Sequence, residues 1–113
     1  MAPETIHQDP VLREFVRLTQ SVRSRIRKII LFGSRARGQA LPYSDYDLLL
    51  IVDRRDKSLR DAVFGAVVDI ELAQQKQISP KIYSEEDFER LASIPTPFLK
   101  NVLAEGIELD QAA

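Results

Sequence analysis

Two short groups of residues carry the chemistry open to this chain: Gly33-Ser34 and, after ten intervening residues, Asp45-Tyr46-Asp47. Carboxylates two apart on an extended strand point to one face with Cα atoms roughly 6.6 Å apart, so those of Asp45 and Asp47 converge on one cation or a pair. Oxygen ligands with open positions beside them suit Mg²⁺, which gives up water reluctantly and shares its coordination with phosphate oxygens. Gly33 lets backbone approach a phosphate closely, Ser34 offers a hydroxyl, and Arg35, Ala36 and Arg37 are expected to open a short helix whose amides face the anion. Either group alone is common, as a turn or a strand cap. Joined at this spacing, with apolar runs beneath both, they describe a site for a triphosphate and its metal.

The elements that must position these groups are legible around them. Residues 29–32 (Ile-Ile-Leu-Phe) form a β-branched apolar run that stops at Gly33, as a buried strand does. Residues 47–52 are continuously apolar after Asp47, which marks a central strand covered on both faces. Ahead of them, Asp9-Pro10 reads as a cap followed by proline at the first helical position. Leu12, Phe15, Val16, Thr19, Val22 and Ile26 then recur at helical spacing, predicting an amphipathic helix over 10–26.

After the second strand, Leu59, Val63, Ala66, Val67, Ile70 and Ala73 predict a crossover helix over 57–75, although 67–72 also reads as a strand. Residues 81–83 make a short third strand. Ser84-Glu85-Glu86-Asp87 then caps a helix running to about Ala92, and Thr96-Pro97 starts another that Gly106 ends. Helices alternating with short strands imply an α/β (α+β) fold with a small mixed sheet of three to four strands.

Length and composition bound the function. At 113 residues, 44% hydrophobic and 29% charged, the chain is expected to be one domain, 1–113, that folds without disulfides or a structural metal. There is no cysteine, hence no disulfide framework and no thiol nucleophile, and no apolar run approaches the roughly 20 residues of a bilayer span. A cytoplasmic protein without a membrane segment or secretory leader is the expectation. A net charge of −1 argues against direct nucleic-acid binding by the whole surface. The charge is uneven, however: residues 1–40 hold eight Lys/Arg against three acids, and residues 41–113 eight against fourteen. The basic half reads either as a face for phosphate or an acidic partner, or as a solvated helix surface.

The remaining candidates divide the same way. His7 is the only histidine, so a histidine triad or zinc site has no basis. The glycine spacing fits neither a P-loop nor a dinucleotide fingerprint. Asp53 reads as a structural strand terminator, and Tyr43, Tyr46 and Tyr83 as core or rim. Arg35 and Arg37 read equally as partners of triphosphate oxygens or as a solvated basic turn.

Gly33-Ser34 with Asp45-x-Asp47, set in Leu31-Phe32-Gly33-Ser34-Arg35-Ala36-Arg37-Gly38 and Ser44-Asp45-Tyr46-Asp47-Leu48, resembles the nucleotidyltransferases of the DNA polymerase β superfamily, and in particular its minimal members. The likeness continues through Ile78-Ser79-Pro80-Lys81-Ile82-Tyr83-Ser84, Pro97-Phe98-Leu99-Lys100-Asn101-Val102 and Glu105-Gly106-Ile107. The resemblance implies transfer of AMP from ATP to an acceptor hydroxyl. Asp45 and Asp47 would be catalytic as the Mg²⁺ ligands, and Gly33 and Ser34 would hold the β and γ phosphates. It also implies an antitoxin that neutralises a helical HEPN-type ribonuclease toxin by binding it or adenylylating it, in a hetero-oligomer.

Active relatives carry a third carboxylate on the following strand, and residues 79–83 have none; Asp69, with Glu71 on the same face, would substitute if 67–72 were a strand. Two further readings therefore stand beside the enzyme: a module of this fold that inhibits its partner by contact alone, and a transferase subunit acting on a small molecule or nucleic acid.

Overall fold

The computed structural model describes residues 6–94 and 96–111. In chain order the elements are α1 (Pro10–Leu18), a 3-10 segment (Gln20–Arg25), β1 (Ile26–Phe32), β2 (Tyr46–Val52), α2 (Lys57–Gln74), β3 (Ile78–Ser84), α3 (Glu85–Ala92), α4 (Pro97–Glu105) and β4 (Ile107–Glu108). The strands form one sheet in the order β3-β2-β1-β4. β1 runs antiparallel to both β2 and β4, and β2 runs parallel to β3, so the sheet is mixed and flanked by helices as expected.

The central position of β2 explains its unbroken apolar sequence. On one face Leu48, Leu50 and Val52 join Ile29 and Leu31 of β1 and pack with Phe15 of α1 and Leu59, Val63 and Ile70 of α2. On the other, Leu49 and Ile51 join Ile30 and pack with Val102 of α4, with Phe32, Tyr83, Phe88 and Phe98 at the margin. Each fully buried Leu or Ile here contributes about 1.5–3 kcal/mol relative to an exposed one. That burial fixes the strand that carries Asp47.

The structure refines three of these readings. The helix expected over 10–26 ends at Leu18. Thr19 is buried and donates its hydroxyl to the Phe15 carbonyl (2.9 Å), satisfying an end group of the helix, and the chain continues as a 3-10 segment from which Val22 still reaches the core. Ile26, read as the last residue on that helix face, instead opens β1, which is three residues longer at its start than expected. The early break places Arg25 where it donates to Asp53 (3.1 Å), Asp56 (3.0 Å) and the Arg54 carbonyl (3.1 Å), tying the start of β1 to the end of β2. Asp53 is thus structural. Hydrogen bonds from Arg25 hold the carboxyls of both acids below the usual range, that of Asp56 down to about 2. Because the folded pKa values are depressed, this contribution to stability is present above the ordinary carboxylate range and is lost as pH falls toward 2.

Second, the crossover helix expected over 57–75 is present as α2, and the alternative reading of 67–72 as a strand falls: Val67 and Ile70 face the core while Asp69 and Glu71 are exposed. Gln75 closes α2 in the left-handed region, at φ 55°. Gly65 lies inside this helix, and a Cβ built there meets nothing within 4 Å. Gly65→Ala is therefore expected to raise stability by about 0.5–1 kcal/mol, read as a higher urea midpoint with an unchanged slope.

Third, the two-residue β4 was not foreseen. Gly106 ends α4, as expected, and the chain then turns back so that Ile107 and Glu108 pair with Leu31 and Ile30. A Cβ on Gly106 would fall within contact distance of the Val102 carbonyl and Ile30 Cγ2, so glycine is what allows α4 to close against the sheet. Among the described residues no helix is long and apolar enough to cross a membrane.

Candidate active site

The site forms where β1 ends and β2 and β3 begin. Phe32, the last residue of β1, pairs with Asp47 in the β1–β2 register, so Gly33 leaves the sheet directly beside the Asp47 carboxylate. Gly33 has φ 77°, a conformation that side chains rarely adopt. A Cβ there would fall on Asp47 Oδ2, with Asp47 Cγ 3.2 Å away. The glycine therefore serves two ends, turning the chain sharply and leaving the carboxylate room.

Beyond it the chain makes a turn rather than the short helix expected. The amides of Ala36 and Arg37 donate to the Gly33 carbonyl (3.1 and 3.2 Å), and that of Gln39 to the Ser34 carbonyl (2.9 Å). The amides of Ala36 and Arg37 are thus spent inside the turn. Those of Ser34 and Arg35, ahead of it, have no backbone acceptor among the described residues.

Asp45 precedes β2 and is exposed, whereas Asp47 is half-buried one step inside the strand. Burial pushes the Asp47 carboxyl above its ordinary pKa, and the neighbouring Asp45 charge adds to this; Lys81 and Arg37 oppose it. Two carboxylates that repel each other at the mouth of an apolar sheet are a donor set that a divalent cation would relieve. Among the described residues no third His, Cys, Asp or Glu completes a metal-holding group.

The register shows what stands in the third position. Asp47 lies level with Ser79 on the parallel strand β3, and Lys81 follows on the same face. Ser79 Oγ reaches Asp45 Oδ2 at 3.4 Å. Asp69 projects from α2 into solvent and is excluded as the substitute. Glu71, also on α2, lines a cavity of about 500 Å³ together with Tyr43, Asp45 and Leu72.

Arg35 turns out to be neither a triphosphate partner nor a solvated charge. It is 8% exposed, lies 3.9 Å from the Tyr46 ring centroid, and donates to the Ser44 carbonyl through Nε (3.0 Å) and Nη2 (2.7 Å). It fastens the loop between the two motifs and so sets where Asp45 stands. Tyr46 in turn donates to Asp9 Oδ2 (2.8 Å), whose other oxygen caps α1, and burial against that acid pushes the phenol up to about 12. The signal was in the alternation: Tyr46, between two site carboxylates on a strand, must face the core and offer its ring there. Arg37 remains exposed and pairs with Glu105 (3.1 Å).

Arg35→Ala is expected to leave the Ser44 carbonyl without the two guanidinium donors it accepts from and to cost about 1–3 kcal/mol, with a larger proportional loss of metal-dependent nucleotide binding than of stability. Calorimetric binding beside a denaturant titration separates the two effects.

The nucleotidyltransferase domain model matches residues 12–109. A Methanocaldococcus jannaschii protein named "Putative protein adenylyltransferase" is 36% identical over 102 residues, covering 89% of this chain and 96% of that protein. Among solved structures, a toxin–antitoxin complex with AMP-PNP superposes with a TM-score of 0.59 at 20% identity, over 87% of this chain and 71% of that one. A structure of the MntA–HpeT toxin–antitoxin pair gives 0.58 at 18% identity, over the same shares. At these identities the structural likeness is one of fold.

Proposed function

The chain belongs to the nucleotidyltransferase domain family, and on that premise we propose that it transfers AMP from ATP to a hydroxyl of a partner protein, with Asp45 and Asp47 as catalytic Mg²⁺ ligands and Gly33 and Ser34 holding the β and γ phosphates. The observation that carries the reading is the seating of Gly33 against Asp47: a Cβ there would fall on Asp47 Oδ2, so only glycine lets the turn after β1 come this close to the carboxylate. The wording of the Methanocaldococcus relative's name supports protein as the acceptor, and the toxin–antitoxin neighbours support a toxin as the partner. The resemblance noted in the sequence specifies that toxin as a HEPN-type helical ribonuclease, met in the cytoplasm.

In this reading Asp45 and Asp47 would hold a Mg²⁺, which would supply neutralisation of the phosphate charge. The chain's own part is placement. Gly33 and Ser34 fix the β and γ phosphates at the end of β1, which lays the α-phosphorus over Asp47 toward β3. An acceptor hydroxyl approaching from the β3 side then attacks in line: its oxygen bonds to the α-phosphorus as the bond to the bridging oxygen breaks, pyrophosphate leaves, and the hydroxyl proton passes to solvent. Apolar burial of β2 keeps Asp47 from shifting during that exchange, and the loop fastened by Arg35 does the same for Asp45.

A specific observation favours a second reading. Ser79 and Lys81 stand where active relatives hold a third carboxylate, which suits a module that binds nucleotide and neutralises its partner by contact. Calorimetry tests the common part of both. Wild type is expected to bind ATP only with Mg²⁺ present, and the Asp45→Asn, Asp47→Asn double variant not at all; equal binding by both proteins would remove these residues from the site.

A further inference from the structure

Among the described residues Lys81 is a cation on the Asp47 face that forms no salt bridge, although its charge acts on the Asp47 carboxyl. It lies on β3, two residues after Ser79. Arg37, the other cation near Asp47, is held by Glu105, and Arg35 is held by the Ser44 carbonyl. The Lys81 ammonium rests instead 5.3 Å from the Phe98 ring centroid. Phe98 packs edge-on against Phe32 at 5.6 Å between centroids, and Phe32 directly precedes Gly33. Two rings therefore lie between the ammonium on β3 and the glycine turn after β1, and the lysine itself is exposed.

Sheet order then decides what it faces. With β2 between β1 and β3, the glycine–serine turn lies on one flank of Asp47 and Lys81 on the other. A triphosphate anchored by its tail at Gly33 and Ser34 and laid across Asp47 would run toward the β3 flank, where Ser79 is level with Asp47 and Lys81 follows two residues on, on the same face. A carboxylate on β3 would recruit a second cation to this flank; a lysine brings a positive charge of its own and repels one.

We infer that Lys81 is a substrate-contacting residue whose ammonium binds the α-phosphate of the nucleotide, so that the site works with a single divalent ion beside it. The inference rests on the nucleotide-binding reading above and adds the metal count and the residue that replaces the second metal's charge. A lysine is suited to this, being a compact point charge on a flexible stem that can leave an aromatic face for an anion.

The test uses AMP-PNP, a non-transferable ATP analogue, with the full chain as wild type, Lys81→Met and Lys81→Arg. Met keeps an unbranched stem against Phe98 without the charge. Loss of one charge-assisted contact predicts about 10- to 100-fold weaker binding of AMP-PNP with Mg²⁺ by Lys81→Met. Lys81→Arg is expected to stay within about threefold of wild type, because its cation reaches the same phosphate.

Two further readings are ones that a packing role would not move. The α-phosphorus NMR resonance of bound AMP-PNP should shift in wild type and revert toward its Mg²⁺-complexed solution position in Lys81→Met. Mn²⁺ titration followed by electron paramagnetic resonance should count one tight ion per protein–nucleotide complex. Equal AMP-PNP affinity and an unchanged α-phosphorus resonance in Lys81→Met would overturn the inference and leave Lys81 as a packing residue on Phe98, and two tight Mn²⁺ ions in wild type would overturn it as well. Failure of wild type to bind AMP-PNP with Mg²⁺ would instead overturn the underlying nucleotide site, and is distinguished by appearing before any substitution is made.

Discussion

Asp47→Asn is expected to lower nucleotidyl transfer by about a thousandfold or more, equivalent to about 4 kcal/mol of transition-state stabilisation, while leaving the metal-free protein as stable as wild type or more so. The two halves of this result have one cause. Burial and the adjacent Asp45 charge hold the Asp47 carboxyl above its ordinary pKa. A carboxyl whose folded pKa is raised favours the folded state in its protonated form, and that contribution is lost as pH rises through the folded value. At neutral pH the folded protein therefore bears the cost of an ionised Asp47, which in the proposed site a bound cation would offset. Asparagine removes the cost and the cation together. Thermal unfolding of both proteins at neutral pH, with and without Mg²⁺ and ATP, should show a midpoint that is unchanged or raised in the variant without ligand, and a ligand-induced rise confined to wild type. A variant that unfolds earlier without ligand would mean that Asp47 holds the sheet together rather than a metal.

Gly33→Ala should be nearly as damaging by a different route. At φ 77° an alanine costs about 1–2 kcal/mol of backbone strain. Its methyl would also occupy the space of Asp47 Oδ2, so the carboxylate must rotate away from the position it shares with Asp45. The expected outcome is a stability loss of about 1–3 kcal/mol by denaturant titration together with loss of Mg²⁺-dependent ATP binding. The comparison with Gly65→Ala is informative because the chemical change is the same. At Gly65 the added methyl meets open space on a helix and stabilises; at Gly33 it meets the proposed metal ligand. Retained ATP binding in Gly33→Ala would show that the carboxylate tolerates displacement, contrary to the site described.

Much of this architecture was legible because local and global signals agree where the chain is most buried. β2 must read as a continuous apolar run, since Leu48 and Leu50 face one core and Leu49 and Ile51 the other. The caps were legible for the same reason: Asp9, Ser84 and Thr96 each accept an amide hydrogen bond at the start of a helix. What escaped was decided at long range. Val22 and Ile26 sit at helical spacing after Val16, but Arg25 has acidic partners 28 and 31 residues away, and Ile26 has a strand partner in Val52. β4 is two residues long and exists only because Ile30 and Leu31 offer an open edge.

The site divides in the same manner. Gly33, Ser34, Asp45 and Asp47 could be picked out because their types and spacing are chemical. Arg35 was misjudged because its partners are carbonyls of a loop with no sequence pattern. The ambiguity over 67–72 was a real degeneracy of period: Val67 and Ile70 satisfy a helix facing the sheet, while Val68 and Leu72 remain exposed on its outer side. Resolving it as helix removes Asp69 and leaves β3 with Ser79 and Lys81, and that substitution is what raises the question of how many metals the site employs.

The central claim is that Asp45 and Asp47 support transfer of AMP to a protein. Intact-mass spectrometry tests it most directly, with the chain and the protein encoded beside it incubated together with ATP and Mg²⁺, and the Asp45→Asn, Asp47→Asn variant treated in parallel. The account predicts an adenylyl adduct on the partner in the wild-type reaction and none with the variant. An unmodified partner held in a stable complex by wild type and variant alike would contradict it, and would establish contact alone as the means of neutralisation.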